Sequence, residues 1–263
     1  MDKNKHQSWV HALLSAFDEE AFARVVLNDA VLDMPAGALS TMSHCVDIGP
    51  SGEIEIYVET SHFRWMASKA ADGGLFLDVG AATGAICLPL AHQRPETEII
   101  CFEPATRARR LLTETIARNS IRGIEVLPVG VSDSVGSASF LERPLDEEGD
   151  TPYLPEASTL LAPGLPQQDG TVTRISTTTL DAFAAERGIV GREVTVKIDI
   201  EGYEVQALAG AHDFLAKNTV HLAIDIHQMP GQDHTTEAAC REALSAHGYR
   251  FENMNHVLLC YPT

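Results

Sequence analysis

The sequence has little positive charge. It contains five lysines (Lys3, Lys5, Lys69, Lys197 and Lys217), and Lys plus Arg total 19 against 37 Asp plus Glu, which gives a formal net charge of −18 over 263 residues. A surface of this sign repels phosphate backbones and anionic lipid. We therefore expect neither nucleic acid nor a membrane as a partner.

Paired cysteines and long apolar runs are also lacking. The five cysteines form no C-x-x-C pair, which argues against a zinc site and against a disulfide framework. No stretch approaches the roughly 18 apolar residues that span a bilayer, and residues 1–17 contain no uninterrupted apolar run of the signal-peptide type. We expect a cytoplasmic protein, and the sequence leaves open whether it forms a homo-oligomer.

Residues 1–70 are predicted to form an N-terminal appendage. Apolar residues at helical spacing predict a helix over residues 8–32, which ends before Pro35-Ala36-Gly37. Two alternating runs on either side of Gly49-Pro50-Ser51-Gly52 predict a β-hairpin over residues 44–60.

From residue 71 to 263, short apolar runs alternate with helical stretches, which is typical of βα units and a parallel sheet. Strands are expected near 75–79, 98–103, 124–130, 194–199 and 220–226, and helices near 84–93, 105–119, 178–188, 203–217 and 234–247. Two last runs, 249–253 and 256–260, are so close together that they require an antiparallel hairpin. The predicted fold is α/β: a doubly wound, mostly parallel, seven-stranded Rossmann-like sheet. Residues 142–172, rich in proline, are expected to form a long loop or lid.

The segment 75–84, Leu-Phe-Leu-Asp-Val-Gly-Ala-Ala-Thr-Gly, reads as a buried strand that enters a glycine turn and then a helix. Gly80 and Gly84 allow the backbone to approach a ligand closely, and open α/β sheets bind ligands at this edge. The turn lacks the middle glycine of the dinucleotide fingerprint, and Asp78 is unfavourable for a pyrophosphate. We expect a ligand that carries positive charge.

Acidic residues follow the next strands. Glu103, with Pro104 after it, ends the run Ile99–Phe102, where a carboxylate can accept hydrogen bonds from both hydroxyls of a ribose. Ser132 and Asp133 follow the run 124–130, where Asp133 either contacts an adenine amino group or forms a turn.

Two further strand ends carry ionisable groups. Val-Lys-Ile-Asp-Ile-Glu-Gly-Tyr-Glu at 196–204 places Lys197 and Asp199 on one side of a strand, and Glu204 lies in the first turn of the next helix. The run Ala-Ile-Asp-Ile-His at 223–227 delivers Asp225 and His227 to the same edge.

Over roughly residues 75–230 the sequence resembles the FkbM family of S-adenosylmethionine (SAM)-dependent methyltransferases. The segments that carry the resemblance are, in order, LDVGAATG, CFEP, ISTTTLD (175–181), VKIDIEGYE and IDIH. The resemblance implies a class I methyltransferase fold and O-methylation of a small hydroxylated molecule, such as a sugar, a glycan or a natural-product scaffold. It places Asp78, Gly80 and Glu103 on SAM. Two positions depart from the family pattern. The turn that usually reads Gly-Ala-Asn ends in Ala82 here, and the acid of the 220–226 strand is Asp225, which shortens a possible ligand.

These observations give three sets of expected site residues. The residues expected to bind SAM are Asp78, Gly80, Ala81, Gly84, Glu103, Pro104, Ser132 and Asp133. Asp199 or His227 is the expected catalytic base. Asp199, Asp225 and His227 offer the oxygen and imidazole ligands of a Mg²⁺ site.

Two other functions stay open at this point. An NAD(P)-dependent oxidoreductase would suit the sheet and Glu103, although no lysine follows a tyrosine by four residues, as in short-chain reductases. A SAM-fold module without catalysis, acting as a binding partner, is the second alternative.

Overall fold

The computed structural model describes residues 21–42, 45–50, 53–58, 60–142, 159–160, 171–228 and 235–263. In chain order the strands are β1 Phe22–Leu27, β2 Ala30–Pro35, β3 Val46–Ile48, β4 Ile54–Ile56, β5 Leu75–Val79, β6 Glu98–Phe102, β7 Ile124–Leu127, β8 Val129–Val131, β9 Gly136–Glu142, β10 Thr159–Leu160, β11 Thr171–Thr178, β12 Glu193–Ile198, β13 Thr219–Asp225, β14 Arg250–Met254 and β15 Val257–Tyr261. The helices are Ala36–Thr41, Thr60–Lys69, Cys87–Gln93, Thr106–Arg118, Leu180–Arg187, Glu204–Ala209, His212–Lys217 and Glu237–Ser245.

The main sheet has seven strands in the order β14-β15-β13-β12-β5-β6-β7. The pairs β13-β12, β12-β5, β5-β6 and β6-β7 are parallel, and β15 is antiparallel to both β13 and β14. The predicted doubly wound sheet with a terminal hairpin is confirmed. Ile198 is in register with Val79 on one side and Ile224 on the other, so the loops after β5, β12 and β13 emerge side by side.

The N-terminal sheet corrects one prediction. The predicted helix over 8–32 is wrong for residues 22–32, because β1 and β2 form an antiparallel hairpin there, and residues 8–20 lie outside the described part of the chain. The turn residues Asn28 and Asp29 both have positive φ (43° and 71°), as tight hairpin turns require. The predicted hairpin over 44–60 is confirmed as the antiparallel pair β3-β4, which joins β1 through β4.

The strand predicted over 124–130 is divided between two sheets. Pro128, which has no N–H to donate, separates β7 in the main sheet from β8 in a second sheet of order β10-β9-β11-β8. The loop predicted over 142–172 is shorter in the structure, because Glu142 ends β9 and Thr171 begins β11. Within it, residues 159–160 form β10, which pairs with β9. Residues 143–158 and 161–170 lie outside the described part of the chain.

The helix predicted over 203–217 is interrupted. The N–H of Asp181 donates to the carbonyl of Gly210 (2.9 Å), and a Cβ at Gly210 would overlap the Ser132 carbonyl. The chain therefore forms two short helices, Glu204–Ala209 and His212–Lys217.

The N-terminal sheet and the main sheet share one hydrophobic core. Val25, Met34 and Leu39 pack in the same buried cluster as Phe76 of β5 and Leu88 of the following helix. The described residues between 22 and 70 thus cover one side of the main sheet. Among the described helices, none has the length and apolar character needed to cross a membrane.

The glycine turn after β5 generates a stability prediction. Gly80 and Gly188 both have positive φ (82° and 65°), but a Cβ at Gly80 would overlap the carbonyl oxygen of Asp199, whereas a Cβ at Gly188 meets nothing within 4 Å. Gly188→Ala is expected to cost about 1 kcal/mol because of its left-handed backbone. Gly80→Ala is expected to cost at least about 2 kcal/mol more, since the ends of β5 and β12 must separate. Urea unfolding of both variants measures the difference, and equal losses would contradict the close approach of these strand ends.

Candidate active site

The turn after β5 is fixed by backbone hydrogen bonds. The N–H groups of Gly80 and Ala81 donate to the carbonyl of Phe102 (3.0 and 3.3 Å). Gly84 has φ 96°, and a Cβ there would collide with the side chains of Leu88 and Leu112. The predicted residues Gly80, Ala81 and Gly84 therefore shape the turn between β5 and the helix Cys87–Gln93.

Ala82 has φ 46°, a conformation that asparagine adopts more readily than alanine. This is the position where the sequence departs from the Gly-Ala-Asn pattern. The backbone keeps the left-handed conformation in spite of the alanine, and the Ala82 N–H donates to Glu103 Oε2 (2.7 Å). The departure changes the side chain at the turn and leaves its backbone shape in place.

Asp78, expected to contact the cofactor, lies beneath the turn and is completely buried. Its Oδ1 lies 3.4 Å from Lys197 Nζ, and neither of its carboxylate oxygens has a hydrogen-bond partner within the described part of the chain. Burial raises the pKa of Asp78, and the charge of Lys197 opposes that shift. Asp78 therefore contacts Lys197 in this structure.

Lys197 connects β12 to the glycine turn. Its buried ammonium donates to the carbonyl of Gly80 (2.8 Å) and lies 3.2 Å from Asp199 Oδ2, in addition to its contact with Asp78. Sequence reasoning placed Lys197 and Asp199 on one side of the strand but gave the lysine no role. Its single buried cation holds two strand ends together.

Glu103 lies at the carboxyl end of β6, as predicted. Its Oε1 accepts from the N–H of Ala105 and its Oε2 from the N–H of Ala82, both at 2.7 Å. Burial raises the pKa of Glu103 to about 7, against the opposing effect of these two hydrogen bonds. Arg109 donates to the carbonyls of Glu103 and Pro104 (3.0 and 2.8 Å), which fixes the backbone on either side of the carboxylate.

Ser132 and Asp133 follow β8 at the same edge. The Ser132 N–H donates to the carbonyl of Thr178 (2.9 Å), and Asp133 Oδ1 accepts from the hydroxyls of Ser132 and Ser134 (3.3 and 3.1 Å). Burial and the charge of Asp133 raise the pKa of Tyr203. Asp133 is therefore both a turn residue and a neighbour of the loop after β12.

The loops after β12 and β13 bring an imidazole among carboxylates. His227 Nε2 lies 3.6 Å from Asp199 Oδ1 and 3.7 Å from Glu201 Oε2. His227 Nδ1 lies 2.9 Å from Oε1 of the completely buried Glu204. The same Glu204 oxygen accepts from the N–H groups of Ile200 and Gly202 (3.3 and 3.0 Å). Glu204 thus orients both the loop and His227.

The charges in this group shift two pKa values. Burial alone would lower the pKa of His227, but the hydrogen bond and charge of Glu204, with Asp199 and Glu201, raise it to about 10. Burial alone would raise the pKa of Asp199, but Lys197 and His227 hold it below its usual value. At neutral pH, Asp199 is a carboxylate and His227 an imidazolium.

The structure groups the potential metal ligands differently from the predicted set. The described residues whose ligand atoms all lie within 4.8 Å of one another at this edge are Asp199, Glu201 and His227, and Asp225 is not among them. The Asp225 carboxylate lies 3.5 Å from His256 Nε2 instead. The ligand set predicted from the sequence did not include Glu201. In the structure Glu201 has φ 55°, and its carboxylate faces His227.

A cavity of about 580 Å³ opens at this edge of the sheet. Its lining combines the glycine turn, the acidic loops and the N-terminal sheet with its helices: Gly80–Thr83, Asp199, Glu201, Asp225, His227, Thr41, Met42, Cys45, Val58 and His62 are among its residues. The N-terminal part of the chain therefore forms one wall of the candidate site. The sequence assigned that part to an appendage, and the structure shows which of its residues reach the cavity.

Two curated methyltransferases are similar in sequence to this chain over about half of its length. The chain is 24% identical over 150 residues to the 2-O-methyltransferase NoeI of Sinorhizobium fredii, covering 54% of this chain and 59% of that protein. It is 25% identical over 166 residues to the methyltransferase sdnD of Sordaria araneosa, covering 55% and 64%. The matched region thus spans about three fifths of these curated relatives.

Among solved structures, a methyltransferase FkbM from Methylobacillus flagellatus aligns at 18% identity with a TM-score of 0.49, covering 72% of this chain and 44% of the other. The family description "Methyltransferase FkbM domain" matches residues 78–251, which include the turn after β5, Glu103, Asp199 and His227. This match covers more than half of the sequence, and the chain belongs to the FkbM methyltransferase family.

Proposed function

We propose that this protein transfers a methyl group from SAM to a hydroxyl of a small molecule, such as a sugar, a glycan or a natural-product scaffold. The observation that carries the proposal is the position of Asp199. Its partly exposed carboxylate lines the same cavity as the Gly80–Thr83 turn, and its depressed pKa keeps it ionised. Membership in a methyltransferase family and the name of NoeI as a 2-O-methyltransferase support a hydroxyl acceptor.

The residues present suit a cationic methyl donor. Asp199, Glu201 and Asp225 line the cavity beside the glycine turn, where carboxylates favour the sulfonium and the ammonium of SAM. At the adjoining strand ends, Glu103 would accept from the ribose hydroxyls, since each of its oxygens keeps a second lone pair. Pro104, Ser132 and Asp133 would lie beside the nucleoside.

Bound SAM supplies an electrophilic methyl group on sulfur. The acceptor hydroxyl attacks the methyl carbon, the C–O bond forms as the C–S bond breaks, and the hydroxyl proton passes to Asp199. The oxygen becomes strongly acidic as it bonds to carbon, so a weakly basic carboxylate suffices to take the proton. Holding the acceptor oxygen about 3 Å from the methyl carbon supplies several kcal/mol of the catalysis.

The pKa shifts of the two candidate bases favour different roles for them. An imidazolium has no lone pair to accept a proton, so the proposal gives the base role to Asp199. His227 positions Asp199 and Glu201 through its charge.

The first test of the function is ligand binding followed by turnover. Calorimetry of the full chain is expected to detect SAM and its demethylated product S-adenosylhomocysteine, and not NADH. Labelled methyl transfer from SAM to a panel of hydroxylated metabolites is then expected to identify the acceptor. Binding of NADH without SAM would contradict the proposal, and SAM binding without transfer to any acceptor would favour the non-catalytic module.

The base is tested by Asp199→Asn. This change is expected to lower the transfer rate by roughly 10²–10⁴-fold, while the affinity for S-adenosylhomocysteine, which lacks the sulfonium charge, falls much less. The matched control is Asp213→Asn, which removes an exposed carboxylate paired with Lys217 on a helix outside the site and should keep the full rate. A full rate in Asp199→Asn would exclude Asp199 as the base.

Glu103 generates a pH prediction. Ribose hydroxyls donate hydrogen bonds, so they favour the ionised carboxylate, whose pKa in the free protein is about 7. Affinity for S-adenosylhomocysteine is therefore fully present above pH 7 and should fall up to about tenfold per unit as the pH drops below 7. Calorimetry from pH 5.5 to 8.5 measures this slope, and Glu103→Gln is the control that should bind more weakly with a flatter profile. An equal slope in the variant would mean that Glu103 does not bind the cofactor.

A further inference from the structure

The geometry points to a divalent metal site formed by Asp199, Glu201 and His227, with Glu204 behind the imidazole. The three ligand atoms are two carboxylate oxygens and Nε2, which must release its proton when an ion binds, and they lie within 4.8 Å of one another. The 3.6 and 3.7 Å separations between Nε2 and the two carboxylates are too long for hydrogen bonds. Two atoms that bind one ion at about 2.1 Å lie about 3 to 4 Å apart, which matches these separations.

Glu204 supplies an independent observation. Its side chain is completely buried, its Oε1 lies 2.9 Å from His227 Nδ1, and its Oε2 has no hydrogen-bond partner within the described residues. A buried carboxylate with an unsatisfied oxygen is costly unless positive charge lies nearby. Metal-binding histidines commonly donate their second N–H to such a carboxylate, which fixes the tautomer and directs the other nitrogen at the ion.

The ligand set and its surroundings define the kind of ion. Two carboxylates and one imidazole suit Mn²⁺ or a similar hard-to-borderline divalent cation, and they offer no thiolate for a soft one. The three residues line the 580 Å³ cavity, so the ion has an entry path and its remaining positions face the cavity. If the function proposed above holds, the acceptor hydroxyl would bind at one of the ion's remaining positions, beside Asp199, and the ion would lower the pKa of that hydroxyl.

The test measures Mn²⁺ binding by the full chain without SAM or acceptor. Binding is detected as the loss of the free-ion signal in electron paramagnetic resonance. The wild type is expected to bind one ion that Glu201→Gln and His227→Asn each weaken at least tenfold. Glu204→Gln is expected to weaken it about 10- to 100-fold by releasing the imidazole. The matched control is Asp225→Asn, which removes a carboxylate from the same cavity outside the ligand set and should keep the wild-type affinity.

Each outcome decides the matter. Absence of Mn²⁺ binding by the wild type would overturn the inference. Unchanged Mn²⁺ affinity in Glu201→Gln and His227→Asn would also overturn it, because the ion would then bind elsewhere, for example at the acidic run 146–150. A loss in Asp225→Asn as large as in Glu201→Gln would overturn this ligand set. Circular dichroism of each variant separates lost binding from lost folding, and Glu201→Gln, whose side chain is 34% exposed, should fold normally. Because the readout needs no methyl transfer, the site can stand if the proposed function fails, and the reverse.

Discussion

The candidate site depends on one buried cation between two strand ends. Lys197 contacts Asp78, Asp199 and the carbonyl of Gly80, and these three belong to the adjacent strands β5 and β12 and the turns that follow them. The charge of Lys197 makes it possible to bury Asp78 completely and keeps Asp199 ionised. Without that charge, Asp78 would be an unpaired buried carboxylate, which is among the most costly features a core can contain. The fold and the chemistry of the site therefore meet at Lys197.

Carboxylates in the site divide into those that brace it and those that face the cavity. Asp78 and Glu204 are completely buried, and Glu103 takes two backbone N–H groups, so each of them fixes a turn or a neighbouring side chain. Asp199 and Glu201 remain partly exposed to the cavity. The left-handed backbone at Ala82 and Glu201 indicates local strain of the kind that persists where surrounding contacts fix it. Rigid support behind a small exposed acidic surface is suited to holding two reactants in line.

Much of the main sheet could be predicted from sequence because its strands are buried on both faces and read as short apolar runs, such as 75–79 and 194–199. Local pattern failed where two structures share one spacing. The apolar residues of 22–32 fit a helix as well as a hairpin, and the Asn28-Asp29 turn was the signal that could have decided between them. Strand β9, Gly-Ser-Ala-Ser-Phe-Leu-Glu, has weak strand propensity in its first half, and its pairing with β11 is a long-range contact.

The acids at the strand ends followed from the sequence as well, since parallel strands deliver their carboxyl ends to one edge. The role of each acidic residue could not be predicted from the sequence. The sequence placed Glu204 in the first turn of a helix and predicted Asp78 as a cofactor ligand. The structure adds that Glu204 contacts His227 and that Asp78 contacts Lys197. Such roles depend on distances between residues far apart in the chain, which a local sequence pattern does not give.

The role of Lys197 can be measured directly by a double-mutant cycle with Lys197→Met and Asp78→Asn, followed by urea unfolding. Lys197→Met alone is expected to cost about 3–5 kcal/mol because it leaves Asp78 unpaired in the core. Adding Asp78→Asn should then recover stability, with an interaction energy of about 1–3 kcal/mol between the two positions. Strictly additive losses would contradict the account, because they would mean that Lys197 and Asp78 stabilise the edge independently.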